Sequence, residues 1–259
     1  MITLTSAQLN AWVAAFLWPL TRILGLIAAA PVFNSLDVPA TIKVALGILI
    51  ALIVAPSVPA IPATDPISLA GMMILTQQLV IGLAMGFAMR IAFSAVELAG
   101  ELTGLTMGFG FATFFDPQSQ GRSSAINQLL SLMVLMIYLV ANFHLMILSA
   151  LVDSFTTLPI ASAPMGGGPF RHLVSWGGVI FSAGMQLSLP IVAALLINNI
   201  ALGILTRAAP QLNLFGIGFP IALGVGFIMI AISLPYLAAP MERLLQEGLG
   251  MMRQLGGAH

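Results

Sequence analysis

Five long internal stretches of the sequence carry no formal charge, and their lengths constrain the fold more than any other feature: 44–64, 66–89, 123–152, 172–206 and 208–241. A bilayer core about 30 Å thick is crossed by about 20 predominantly apolar residues in a helix. Each stretch is long enough. Eight Lys or Arg and eight Asp or Glu are spread over 259 residues, so charged residues make up 6% of the chain. A soluble domain carries about 25% and needs them to coat its exterior. The expected fold is all-α, a multi-helix membrane protein with about six long hydrophobic helices near 11–30, 42–60, 68–96, 124–152, 174–206 and 213–239. A membrane β-barrel would show segments of about ten residues with alternating polarity, and these are absent.

The same composition excludes several functions. Balanced charge leaves no net field to draw in nucleic acid. Without cysteine there is no thiolate nucleophile, no iron–sulfur cluster and no cysteine-ligated zinc. His144, His172 and His259 are too far apart in sequence to form a local ligand pair. No catalytic residue, metal or cofactor is expected. No basic residue precedes the first apolar run and no convincing cleavage site follows it, so 11–30 is expected as a retained helix, with Thr5 and Gln8 as a capping box. Orientation is weakly specified. With six spans, Lys43, Arg90, Arg122 and Arg207 fall on one side and Arg171, Arg243 and Arg253 on the other. Such a balance points to a chain oriented by partners, or to one that is not a simple six-span protein.

Residues 172–206 and 208–241 exceed the length of a simple span and meet at Arg207-Ala208-Ala209-Pro210-Gln211-Leu212-Asn213. Pro210 disfavours helix at Ala209, so the chain is expected to reverse there. Residues 172–241 therefore form an expected antiparallel helical hairpin, its arms bent at Pro190, Pro220 and Pro235. Residues 242–259, with Glu242, Arg243, Glu247 and Arg253, are expected as a short amphipathic tail, and 1–171 as the N-terminal helical part.

The most unusual stretch begins at Glu97. Gly100, Gly104 and Gly108 recur every four residues, a spacing that lets another helix backbone approach closely, with Glu97 and Glu101 on a neighbouring face. Two uses are open: ordinary helix packing with glutamates at a membrane boundary, or an inter-subunit surface or polar pathway. Phe109, Gly110, Phe111, Phe114 and Phe115 follow, then Asp116, Pro117 and a polar run to Gly121. Pro117 biases Asp116 to an extended backbone, so the segment is a poor helix and too short to span. Non-helical backbone at membrane depth must be buried in protein or line a cavity, and phenylalanines on it can close a pore by excluding water. The alternative is a surface loop with scattered aromatics.

Other polar residues in apolar runs have plainer uses. Gln77, Gln78, Asn142, Asn198 and Asn199 are expected to join helices by hydrogen bonds. His144 reads as a lone polar histidine near a helix end. The fifteen methionines read as gap fillers, and Met165-Gly166-Gly167-Gly168-Pro169 as a flexible connector, since no Lys-Ser or Lys-Thr follows it.

Three stretches together resemble the FliR family, membrane components of the flagellar type III export apparatus. They are Pro31-Val32-Phe33-Asn34 with Pro39 and Lys43, the run from Gly104 to Gln120, and Ala201 to Asn213. The injectisome branch is similar, and Phe111-Ala112-Thr113-Phe114-Phe115-Asp116-Pro117 inclines the resemblance to the flagellar branch. The resemblance implies a chain whose N-terminal part is similar to FliP and whose C-terminal hairpin is similar to FliQ. It implies a hetero-oligomeric export gate with FliP and FliQ, wrapped by FlhB, in the bacterial inner membrane at the flagellar basal body. Unfolded flagellar subunits would thread that gate, and lipid would be a further neighbour. Residues 106–122 would plug the pore, with Phe109, Phe111, Phe114 and Phe115 as an apolar seal and Gly108 and Gly110 letting it swing. Arg207, Gln211 and Asn213 would cap the hairpin turn and contact neighbouring hairpins.

Two other classes compete. A secondary transporter of a small solute would place a site on broken helices, using Glu97, Glu101 and the Asn198-Asn199 pair, but no two halves of the sequence match. An intramembrane enzyme would need a nucleophile–base pair or metal ligands, and the sequence offers neither.

Overall fold

The computed structural model describes residues 6–35, 38–59, 62, 64–109, 124–160, 166–209 and 214–257. Among them the regular structure is helical throughout. Helix α1 spans Ser6–Ala29 and α2 Ala40–Val54, which runs into a 3-10 turn at Ala55–Ser57. Helix α3 spans Leu69–Thr106, α4 Ala125–Val140, α5 Phe143–Thr157 and α6 Gly168–Trp176. Helix α7 spans Val179–Ala208 and α8 Leu214–Leu255. By length and composition five helical segments can cross a membrane, or six if α4 and α5 count as one. Thr5 of the expected capping box lies outside the described residues.

Local chemistry sets the helix ends. Ser68 accepts the Gly71 N–H on its Oγ at 3.1 Å and opens α3. Ser124 does the same for the Asn127 N–H at 3.1 Å and opens α4. Helix α3 closes at Gly108, whose φ of 93° is the left-handed conformation that ends many helices.

Four expected boundaries differ. The single helix expected over 124–152 is two helices bent by 62°, because Asn142 takes a left-handed φ of 58° between them. The helix expected over 68–96 continues to Thr106 and carries Glu97, Gly100, Glu101 and Gly104 inside it. The connector expected at 165–169 is already helical at Gly168, with Pro169 in the first turn of α6, where its missing N–H is harmless. The amphipathic tail expected at 242–259 is no separate helix: α8 passes through Pro240 and on to Leu255, with Met241, Leu244, Leu245, Leu249 and Met252 buried.

The chain divides into two compact units. The first comprises Met1–Ile91, Asn142–Gly177 and Gln246–His259. Its core holds Trp18, Arg22, Ile23, Leu26, Ile81, Met85, Leu151 and Phe155, all at most 1% exposed. Here α1 and α3 approach closely enough that a Cβ on Gly86 would lie 2.7 Å from Leu26 O and Ala30 N. The second comprises Ala92–Ala141 and Gly178–Leu245. Met107, Ile126, Ile191, Leu195 and Ile230 form its buried cluster, and Tyr138 packs edge-on against Phe93 with ring centroids 5.6 Å apart.

Candidate functional site

The candidate site is a stem, the pair of helix ends that flank residues 110–123 in sequence. Both sides of that stem belong to the second unit: the last turns of α3 and the first turn of α4. A Cβ on Gly100 would lie 2.5 Å from Asn127 Cα, and one on Gly104 would lie 2.6 Å from Ser124 Oγ. The four-residue glycine spacing therefore provides a flat strip on α3 that α4 occupies. The close approach these two glycines permit is made within the chain.

Polar contacts hold the same register. Asn127 donates from Nδ2 to Glu101 Oε1 at 3.2 Å, and its Oδ1 accepts from Ser131 Oγ at 3.1 Å. Both Glu97 and Glu101 are half-buried on α3. Thr106 turns its hydroxyl back to Leu102 O at 3.0 Å and Thr103 O at 2.9 Å, a use of Thr that keeps its donor satisfied at an apolar helix end.

Beyond Thr106 the chain is anchored before it leaves. Met107 is fully buried, lying against α8 where Gly226 has no side chain: a Cβ there would come within 2.5 Å of Met107 Cε. Gly108 turns the backbone. Phe109 then packs on the cluster of Met107, Ile126, Ile191, Leu195 and Ile230, its ring edge-on to Phe227 at 6.5 Å between centroids. Of the expected plug residues, Gly108 and Phe109 are thus at the stem, whereas Gly110, Phe111, Phe114, Phe115, Asp116 and Pro117 lie outside the described residues.

The remaining expected residues are dispersed. Arg207 is exposed in the last turn of α7, while Gln211 and Asn213 lie outside the described residues. On α7, Asn198 is half-buried and Asn199 exposed. His144 falls in the first turn of α5, near a helix end as expected. Gln78 is fully buried and accepts a hydrogen bond from Arg22 Nε at 2.7 Å. Among the described residues no group of three His, Asp or Glu gathers as metal ligands.

Two polar residues that matter in the structure had no assigned role in the sequence. Asn127 was signalled only by its place three residues after a potential cap, Ser124. Arg22 carried a stronger signal, a lone charge inside the first apolar run, which marks a residue with a dedicated partner.

The sequence pattern described as bacterial export proteins, family 1, matches residues 13–248. The flagellar biosynthetic protein FliR of Pectobacterium carotovorum subsp. carotovorum is 42% identical over 255 residues, 98% of this chain and 97% of that protein. The protein of the same name from Escherichia coli (strain K12) is 40% identical over 257 residues, again 98% and 97%. That from Bacillus subtilis (strain 168) is 28% identical over 244 residues, 93% of this chain and 94% of its relative.

Proposed function

This chain belongs to the FliR family of bacterial export proteins, family 1, and on that premise we propose that it is a structural and gating subunit of the flagellar type III export gate. It assembles with FliP and FliQ homologues in the bacterial inner membrane, at the flagellar basal body, and FlhB contacts the assembly. Unfolded flagellar subunits pass through the channel so formed. Residues 1–171 take the part similar to FliP, and 172–241 the hairpin similar to FliQ.

The observation that carries this reading is the length and exposure of the two C-terminal helices. At about 1.5 Å per residue, α7 is about 45 Å long and α8 about 63 Å, against a bilayer core of about 30 Å. Yet the most apolar part of Gly168–Ala208, the segment that includes α7, is only 11% buried and that of Gly218–Leu255 in α8 only 17%, where that of α3 is 67% buried. Apolar surface beyond the reach of lipid tails needs protein to cover it, which supports neighbours along the hairpin rather than lipid alone. Arg207, Gln211 and Asn213 meet those neighbours at its tip. Gly100, Gly104, Glu97 and Glu101 serve assembly by holding α3 and the segment that follows it in one register.

Gating falls to residues 108–117. Phe109 is the anchored end of the seal, Gly108 and Gly110 are its pivots, and Phe111, Phe114, Phe115, Asp116 and Pro117 form the closing segment. The test is purification of the complex from its host in mild detergent, weighed intact. One copy of this chain with FliP-like and FliQ-like chains is the expected result, and a lone monomer would shift the function to small-solute transport. Deletion of 110–117 is expected to leave that complex intact while raising ion leakage across the membrane. Unchanged conductance would remove the plug.

A further inference from the structure

Arg22, on α1, is fully buried, and the partners described for it are all neutral. Its Nε donates to Gln78 Oε1 on α3 at 2.7 Å. One terminal nitrogen donates to Ser154 O at 2.8 Å and to Ser154 Oγ at 3.0 Å, and the other to Leu158 O at 3.0 Å. The guanidinium carbon also lies 4.5 Å from the centre of the Phe155 ring. A buried cation is costly unless opposite charge meets it. Here that charge is the C-terminal end of α5, where the helix dipole places about half a negative charge, and Ser154 O, which also accepts the Leu158 N–H at 3.0 Å, presents it to the guanidinium.

The same turn of α5 receives the C-terminal end of α8. Thr157 donates its hydroxyl proton to Gly256 O. A Cβ on Gly256 would lie 3.0 Å from Ser154 Cβ. Gly257 has a φ of 83°, and a Cβ there would lie 2.9 Å from Thr157 O. The chain end therefore closes backbone-to-helix onto Ser154 and Thr157, the residues beside or bound by Arg22, and all of these lie in the first unit.

We infer that Arg22 is a positioning residue that caps α5 and so shapes the seat for the C-terminal end of α8. A planar fork of donors is needed, because two carbonyls, a hydroxyl and an amide oxygen are met from one side chain. Lysine, a point charge with three donors on one atom, cannot reach all four. The seat stands independently of the export-gate reading, since it concerns contacts inside one unit of this chain.

Hydrogen exchange on the full-length chain in detergent tests it. In Arg22→Gln, amides in 150–156 and in 250–257 are expected to exchange about tenfold faster, a local opening, while those in 182–195 keep their rates. In Gly257→Ala, which leaves the Arg22 network in place, only 250–257 should loosen. Arg22→Lys should fall between parent and Arg22→Gln. Unchanged rates at 250–257 in Arg22→Gln overturn the inference, and so does equal acceleration in 182–195, which marks general loosening. If Arg22→Gln does not accumulate, Arg22→Lys is read on the same peptides, and parental protection there overturns it as well.

Discussion

At the scale of single residues, missing side chains carry as much of the architecture as present ones. Gly82 of α3 faces the backbone of α1, where a Cβ would overlap Arg22 O and lie 2.9 Å from Leu26 N. Backbone cannot move aside as a side-chain tip can. Gly82→Leu is therefore expected to cost about 1–3 kcal/mol by overpacking, read as a lowered thermal midpoint in detergent. Gly203→Ala on α7 is the contrasting case. Nothing lies within 4 Å of its Cβ position, so the chain alone should be unchanged or gain about 0.5–1 kcal/mol of helix preference. Equal losses in the two variants would rule out close packing as the reason for Gly82. Asn127 is the polar counterpart. Asn127→Ala removes the donor to Glu101 and the acceptor for Ser131, and a loss of about 1–3 kcal/mol is expected because half-buried groups are left unmatched. Stability equal to the parent's in the same melt would dissociate Asn127 from the stem.

At the scale of elements, the break between α4 and α5 is decided by one residue. Asn142 adopts φ 58° and is exposed, so a substitution there acts mainly through its backbone conformation. Asparagine and glycine tolerate the left-handed region, whereas a β-branched residue does not. Asn142→Gly is expected to leave the thermal midpoint near the parent's, and Asn142→Val to cost about 1–2 kcal/mol. Matching midpoints for the two would mean that the bend is imposed by packing and not by this residue. Helix α8 shows the opposite balance. Pro220, Pro235 and Pro240 lie inside it, yet the helix continues for 42 residues. Proline's local objection is outweighed where a helix buries Leu237, Met241, Leu245 and Met252 along its length.

At the scale of the whole molecule, the chain is a membrane protein whose apolar surface is unevenly used. Helix α3 is largely enclosed, while Leu196, Ile197, Ile200, Ile204 and Leu205 on α7 and Phe227, Ile228 and Ile232 on α8 stand exposed. Amides of α3 are accordingly expected to exchange most slowly in the isolated chain, and those of 196–208 to be among the fastest helical ones. Co-expression with FliP-like and FliQ-like chains should then slow exchange over 196–208 without altering α3. If those amides keep the same rates in the recovered complex, residues 196–208 are not where neighbours bind.

The class of protein and its approximate helices follow from the sequence alone, because charge-free runs of 21 residues or more without the alternating polarity of a barrel leave the helix as the way to satisfy the backbone in an apolar phase. The family could be recognised the same way, since its motifs are local. The glycine spacing at Gly100 and Gly104 was legible too, but not the helix that uses it: Asn127 and Ser124 lie twenty or more residues away across the 110–123 segment. Only the tertiary structure decided that pairing and the continuity of α8, because each balances a local preference against burial elsewhere. Arg22 is the clearest instance. Its partners are 56, 132 and 136 residues distant, and hydrogen bonds between groups so far apart leave no periodicity in the sequence to read.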